Sequence, residues 1–223
     1  MMTIPSLLSI QVGLPKRRGV VGSKNPMERP FLSGIFKDQV GGRVWLGEEN
    51  LEGDGQADLQ NHGGPFRAVL AYSAEHYPVW RTELSLSDLP YGAFGENFTI
   101  SGLDEETVCI GDVFSIGEAK VQVSQPRQPC WKLARRWNMK DLTARVHYHG
   151  WGGWYLSVVQ QGYVQAGTPV VLEKHPLPGF DIAFVYALMN QQIDDPQAIA
   201  ELADCQWLSP GWRAVFAERA GVW

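Results

Sequence analysis

The sequence predicts a mainly β fold with α: a closed or nearly closed β-barrel followed by a small three-helix extension. Three observations carry this expectation. Nine tryptophans and 24 glycines in 223 residues indicate many turns and heavy aromatic packing. Short strand-like segments bounded by turn residues recur from Leu7 to Glu173, and closure is the economical way to bury so many without open edges. The proline-punctuated stretch His175-Pro176-Leu177-Pro178-Gly179 then marks a change to helical composition. The expected division is a barrel over residues 1–174 and a linker with three helices over residues 175–223.

In chain order, Leu7 to Val12 has strand composition, and Gly13 to Gly19 follows as a basic loop. Lys16, Arg17 and Arg18 read either as a solvated charge run or as an anion-binding loop at a strand end. Ser33 to Val40 and Arg43 to Leu46 read as two strands, with Gly41-Gly42 as the hairpin turn between them. Asp54 to Asp58 does not fit a calcium-binding loop and reads as a solvated acidic turn.

The stretch Asn61-His62-Gly63-Gly64-Pro65-Phe66-Arg67 leads into a buried strand, Ala68 to Tyr72. Paired glycines let a backbone approach a ligand closely, His62 can transfer a proton near neutral pH, and Arg67 can clamp a phosphate or carboxylate. The competing reading is a tight turn with a surface histidine. Ser73 reads as the N-cap of a helix running to about Leu84. Pro90 to Ile100 is a glycine-bearing turn entering a strand, with Glu96-Asn97 between aromatics. Those two residues suit either turn chemistry or ligand hydrogen bonding.

Gly111 to Val123 forms the clearest hairpin, around Gly117-Glu118-Ala119. Its second strand ends at Pro126, and Pro129 leads rigidly into Cys130 at what reads as a helix start. Arg127, Lys132, Arg135 and Arg136 surround this thiol in sequence. Their charge and the positive end of a helix both favour thiolate, the form that attacks electrophiles and binds soft metals. The alternative is a buried cysteine acting as a small hydrophobe. His147 and His149, near the end of a helix beginning at Asp141, lack a third ligand nearby and read as structural. Gly150 to Trp154 turns into strands at Tyr155 to Gln160, Gly162 to Ala166 and Pro169 to Glu173. The last three segments, Ile182 to Asn190, Pro196 to Asp204 and Pro210 to Ala220, read as helices, with Asp195 and Ser209 as caps before Pro at N1. Leu188, Ile199, Leu202, Val215 and Phe216 supply their apolar faces, for docking on the barrel or on a partner.

At 44% hydrophobic and 19% charged, the chain is an ordinary globular protein. A formal net charge of −5 argues against nucleic-acid binding. Cys109, Cys130 and Cys205 form no CxxC spacing, which fits a reducing compartment and argues against a structural zinc site. No signal peptide or membrane-length apolar run is present in the sequence, so a soluble cytoplasmic protein without membrane contact is expected.

Four separated segments carry a resemblance. They are Asn61 to Leu70, Gly92-Ala93-Phe94-Gly95-Glu96-Asn97-Phe98, Gly111 to Gly117, and Gln125-Pro126-Arg127-Gln128-Pro129-Cys130-Trp131-Lys132-Leu133. In their residues and order the chain resembles the MOSC-domain family, in its YiiM-type branch. The resemblance implies a β-barrel that holds a molybdenum cofactor, a molybdopterin, with Cys130 as the protein ligand to molybdenum. It implies cofactor contacts from among Lys16, Arg17, Arg67, Arg127 and Lys132, with Asn61, His62, Gly63 and Asn97 lining the site. It implies reduction of N-hydroxylated compounds, such as N-hydroxylated purine base analogues, to the corresponding amines with release of water, as a detoxification. His62 is then the nearest catalytic residue able to shuttle protons beside Cys130, with water as the alternative. The chain has no GxGxxG motif in a strand-helix context and no iron–sulfur cysteine set, so a separate electron-donor reductase, for instance a flavoprotein, is implied. The rival readings are a persulfide sulfur carrier using Cys130, a non-catalytic cofactor-binding protein and an interaction protein with a structural cysteine.

Overall fold

The computed structural model describes residues 4–221. The first half of the chain carries β1 (Ser6–Val12), β2 (Lys16–Arg18), β3 (Phe31–Ser33), β4 (Asp38–Val40), β5 (Arg43–Leu46), α1 (Leu59–His62), β6 (Val69–Ser73), α2 (Tyr77–Glu83) and β7 (Phe98–Ser101). The second carries β8 (Val113–Ile116), β9 (Ala119–Pro126), α3 (Lys132–Trp137), α4 (Leu142–His149), β10 (Trp154–Gln160), β11 (Gly162–Gln165) and β12 (Val170–Lys174). Three helices end it: α5 (Ile182–Met189), α6 (Pro196–Ala203) and α7 (Pro210–Ala220). With seven α-helices beside the strands, the architecture is mixed α/β rather than mainly β.

Eight strands form one sheet in the order β12-β8-β9-β10-β6-β7-β1-β4, and β6 pairs with β7 in parallel. This sheet is not closed into the expected barrel; β12 and β4 are its edges. Among the described residues, its two sides meet at the bridge of Ser6 with Pro169, flanked by bonds from Leu7 N to Thr168 O (2.9 Å), from Gly167 N to Leu7 O (2.7 Å) and from Val170 N to Pro5 O (2.8 Å). Pro5 has no N–H to return the bond from Val170, which interrupts the ladder at that pair.

Two local expectations also change. Ser33 to Val40 is not one strand: β3 pairs with β2, β4 pairs with β1, and residues 34–37 turn between them. At Gly34 a Cβ would stand 2.3 Å from the Gly55 carbonyl oxygen, so this backbone contact requires glycine. Nor do β4 and β5 form a hairpin, because β5 pairs with β11. The basic loop is itself partly strand, since Lys16 to Arg18 is β2.

Alternation along β9 buries Val121 and Val123 while leaving Lys120 and Gln122 half-exposed. Central β6 is buried throughout, and its two faces serve two cores. Val69 and Ala71 join the larger core, and Tyr72 joins an aromatic one with Tyr77, Trp80, Phe94 and Leu133. Tyr72 stacks on Phe94 at 4.7 Å, and Trp80 Nε1 donates to the Tyr72 hydroxyl at 2.7 Å. The last three helices cover the larger core: Val185, Leu188, Ile199, Leu202, Trp212 and Phe216 are buried with Val121 and Val123. Asp181 and Asp195 cap α5 and α6 through side-chain bonds. Ser209 precedes α7 but makes no cap bond, and Val215 is 40% exposed instead of lining the core.

Glu96 is fully buried and serves turn chemistry: its carboxyl oxygens accept from the Gly92 N–H (2.6 Å), the Phe94 N–H (3.0 Å) and the Tyr77 hydroxyl. Glu96→Ala leaves these donors without a partner and is expected to lower stability by about 3–5 kcal/mol in denaturant unfolding. Truncation after Lys174 strips the helical cover from β9 and is expected to yield insoluble or molten chain, read from near-ultraviolet circular dichroism.

Candidate functional site

The turn at residues 33–37, the segment 55–58, α1, the Cys130 loop and β10 line a small cleft open to solvent. His62, Arg67, Asn97, Arg127, Cys130 and Lys132 line it, so six of the ten residues singled out from sequence come together. Lys16, Arg17, Asn61 and Gly63 do not line it. Lys16 pairs with Asp38 at 2.9 Å, and Arg17 stands exposed on β2. Asn61 turns its amide to Asp58 Oδ2 at 2.9 Å, within the cap of α1. Gly63 ends α1, where a Cβ would stand 2.9 Å from the Leu59 carbonyl oxygen.

Cys130 sits between the end of β9 and the first turn of α3. Its carbonyl accepts from Leu133 N at 3.0 Å and from the Thr143 hydroxyl at 3.3 Å, which fixes the loop against α3 and α4. Burial alone raises the thiol pKa, but the His62 side chain, the Arg127 charge and the Lys132 backbone N–H outweigh it. The result is a value lowered from 9.0 to about 7. The thiol is therefore substantially thiolate at neutral pH.

Arg127 is only 5% exposed. One guanidinium nitrogen donates to the Phe94 carbonyl at 3.1 Å, and Nη1 is buried without a partner. Arg67 bonds the Gln60 carbonyl at 3.4 Å, and Lys132 lies against the Trp131 ring. The wall opposite these cations contributes one carboxylate, Asp58, so the cleft is predominantly cationic although the chain is net acidic.

Four lining or supporting residues were missed in the sequence. Lys37 lines the cleft and pairs with buried Asp54 at 2.6 Å. Burial pulls the Lys37 amine below the ordinary lysine range, against the opposing pull of Asp54. Asp54 is therefore no solvated turn residue: it also accepts from Gly13 N (2.8 Å) and Asn97 Nδ2 (2.8 Å). Asn97 spends its amide on Asp54, Gln11 O and Leu70 N, so its part is chiefly structural. Tyr155 and Phe94 complete the wall, and burial pushes the Tyr155 phenol up. No local sequence signal marks the Lys37–Asp54 pair; the close Gly34–Gly55 backbone contact beside it emerges only in the fold. His147 and His149 do not line the cleft; they bond Tyr186 and Glu83. Among the described residues no helix is long and apolar enough to cross a membrane.

Comparison with known proteins places this geometry among relatives. The family model described as "MOSC domain" matches residues 58–171. The uncharacterized protein YflK of Bacillus subtilis is 42% identical over 214 residues, covering 96% of this chain and 94% of its own. A protein of Gibberella moniliformis named a reductase is 32% identical over 87% of this chain, but the match spans only 34% of that protein. The crystal structure of YiiM from Geobacillus stearothermophilus superposes with a TM-score of 0.79 at 33% identity, covering 97% of this chain and 99% of that one. This chain thus belongs to the MOSC domain family, among its YiiM-type members.

Proposed function

We propose that this protein is a molybdenum-cofactor-dependent reductase that converts N-hydroxylated compounds, such as N-hydroxylated purine base analogues, to amines. The observation that carries the reading is one wall of the cleft. There a thiol with a pKa of about 7 stands beside a buried arginine whose Nη1 lacks a partner. A soft thiolate suits molybdenum, and an unpaired buried guanidinium suits an anionic pterin group. The residues present therefore fit the cofactor. Cys130 would ligate the metal, and Arg127, Arg67 and Lys132 would meet its anionic parts. This set is narrower than the sequence suggested, because Lys16, Arg17, Asn61 and Gly63 lie off the cleft. When bound, the cofactor supplies soft-metal, two-electron chemistry.

The protein's own groups do the rest. Arg127 and Lys132 hold the Cys130 sulfur as thiolate by charge and by a backbone N–H. His62 faces that sulfur and carries a ring able to release a proton toward a leaving hydroxyl. Reduction of N–OH to N–H takes two electrons and two protons and releases water, so a proton source at the cleft is required. The electrons come, in this reading, from a separate reductase. The Gibberella relative supports that, since its matched segment is about a third of a longer chain named a reductase. A detoxifying role for the cell follows from the substrate class.

In cofactor-free protein, iodoacetamide alkylation of Cys130 is expected to rise with a midpoint near pH 7 instead of 9. Because a lowered thiol pKa reflects stabilised thiolate, Arg127→Met or His62→Ala should move that midpoint upward. Protein made in a cofactor-competent host should contain molybdenum and reduce N-hydroxylated adenine with a viologen-mediated reductant. Cys130→Ala should lose both the metal and at least ~99% of the rate. Retention of both by that variant sinks the proposal. A sulfane sulfur on Cys130 without bound pterin, seen by mass spectrometry, points instead to a persulfide carrier.

A further inference from the structure

A second cluster of chemically active side chains lies away from the cleft. Cys109 and Asp112 stand three residues apart on the turn before β8, and neither lines the cleft. The turn is closed by bonds from Asp112 N to Cys109 O (3.1 Å) and from Cys109 N to Asp112 Oδ2 (2.9 Å). Gly111, at φ +84°, makes the reversal. The linker after β12 brings His175 to the same place, with its Nδ1 2.7 Å from Asp112 Oδ1. One donor atom from each of the three residues lies within 4.8 Å of the others.

We propose that Cys109, Asp112 and His175 form a zinc-type divalent-metal site that clasps the β8 turn to the linker carrying the C-terminal helices. Sulfur, imidazole and carboxylate donors together select zinc or cobalt over magnesium or calcium, which prefer all-oxygen sets. Two ligands three residues apart on a tight turn, with a third from a distant segment, follow the layout of known zinc knuckles. Bonds of roughly 2.0–2.3 Å place tetrahedral donors about 3.3–3.8 Å apart. Metal binding would require the Asp112–His175 hydrogen bond to open and the three side chains to draw in from their present spread of up to 4.8 Å. The His175 side chain is 40% exposed, so water can enter at the fourth position.

The charge balance favours a cation here. The Asp112 side chain is 1% exposed, and its one ionic partner among the described residues is His175. Asp181, which caps α5, also lies close enough to act on the Cys109 thiol. A fully buried carboxyl, a second carboxyl and a thiol meeting at one turn make an environment that a divalent ion stabilises. Zinc binds the thiolate form of cysteine, whereas a free cysteine is largely thiol at neutral pH. Binding therefore exchanges a proton for the metal: the S–H bond breaks, the S–metal bond forms, and one H⁺ leaves to buffer with no change of oxidation state.

The test uses the full chain carrying Cys130→Ala, so that the cleft thiol does not compete. Cobalt titration should show one equivalent bound with a thiolate-to-cobalt charge-transfer band, and calorimetry should show zinc competing for the same site with proton release. Cys109→Ser should abolish the band, Cys205→Ser should leave it, and His175→Ala should weaken zinc binding roughly tenfold or more. At a zinc concentration well above the parent's Kd, the unfolding midpoint of the parent should rise more than that of the His175→Ala protein. Absence of a stoichiometric thiolate–cobalt band overturns the proposal, as does zinc binding that survives His175→Ala unchanged. Because His175 is partly exposed, that variant decides the matter even where Cys109→Ser folds poorly.

Discussion

The cleft depends on one buried ion pair. Asp54 has no exposed side-chain surface, yet it accepts bonds from Lys37, from Gly13 N and from Asn97 Nδ2. Through these partners it ties the end of β1, the turn at residues 34–37 and the entry to β7. Asn97 extends the knot to β6 by accepting from Leu70 N at 3.1 Å. A buried ion pair is a weak source of net stability, because desolvation opposes the Coulomb attraction. It is a strong source of uniqueness here: either charge left alone in this interior would be costly, so the three segments have only one satisfactory arrangement. The floor of the cleft is thus set by polar satisfaction, and its walls are set by what that floor leaves facing inward.

The wall that matters chemically is assembled from opposite tendencies. Burial disfavours the thiolate at Cys130, and the charge of the buried Arg127 beside it relieves part of that penalty while leaving the guanidinium short of partners. The relief is incomplete, since Arg127 Nη1 still has no partner. A buried donor left unbonded costs about 1–3 kcal/mol, and evolution tolerates such a cost chiefly where a ligand removes it. The same reasoning separates Arg127 from Lys16 and Arg17. Lys16 already has Asp38, and Arg17 already has water, so neither gains much from an additional anion.

What could be read from the sequence was whatever has a local cause. The β8–β9 hairpin turns at Gly117, Ser73 accepts from Glu75 N, and Asp195 caps α6 before a proline; each rests on a few adjacent residues. The three terminal helices were legible for the same reason. The open state of the sheet was not, because it turns on the limited contact of residues 5–7 with residues 167–170, far apart in the chain. Lys37 and Asp54 were read as strand and solvated turn, since nothing within either segment announces a partner 17 residues away. At the site, His62, Arg67, Arg127, Cys130 and Lys132 were legible because a strand end or a tight turn presented them. Tyr155 was not, because an outward position on β10 faces a cleft only once the Cys130 loop has folded over it.

The three cysteines show how little residue type alone decides. Burial is the largest influence on every one of them, and it raises all three. At Cys109 the nearby charges are Asp112 and Asp181, which raise the pKa further. At Cys205 two backbone N–H groups and Arg213 work against burial, yet the thiol remains above its ordinary value. Only at Cys130 do a histidine, an arginine and a backbone N–H converge strongly enough to reverse the sign. The thiolate is therefore a property of the loop that closes on α1 and β9, and it would be lost by moving the same cysteine a few ångströms into the sheet. A soft ion or an electrophile entering from solvent meets one prepared sulfur at Cys130, whereas burial and two nearby carboxylates hold the Cys109 thiol above the ordinary range.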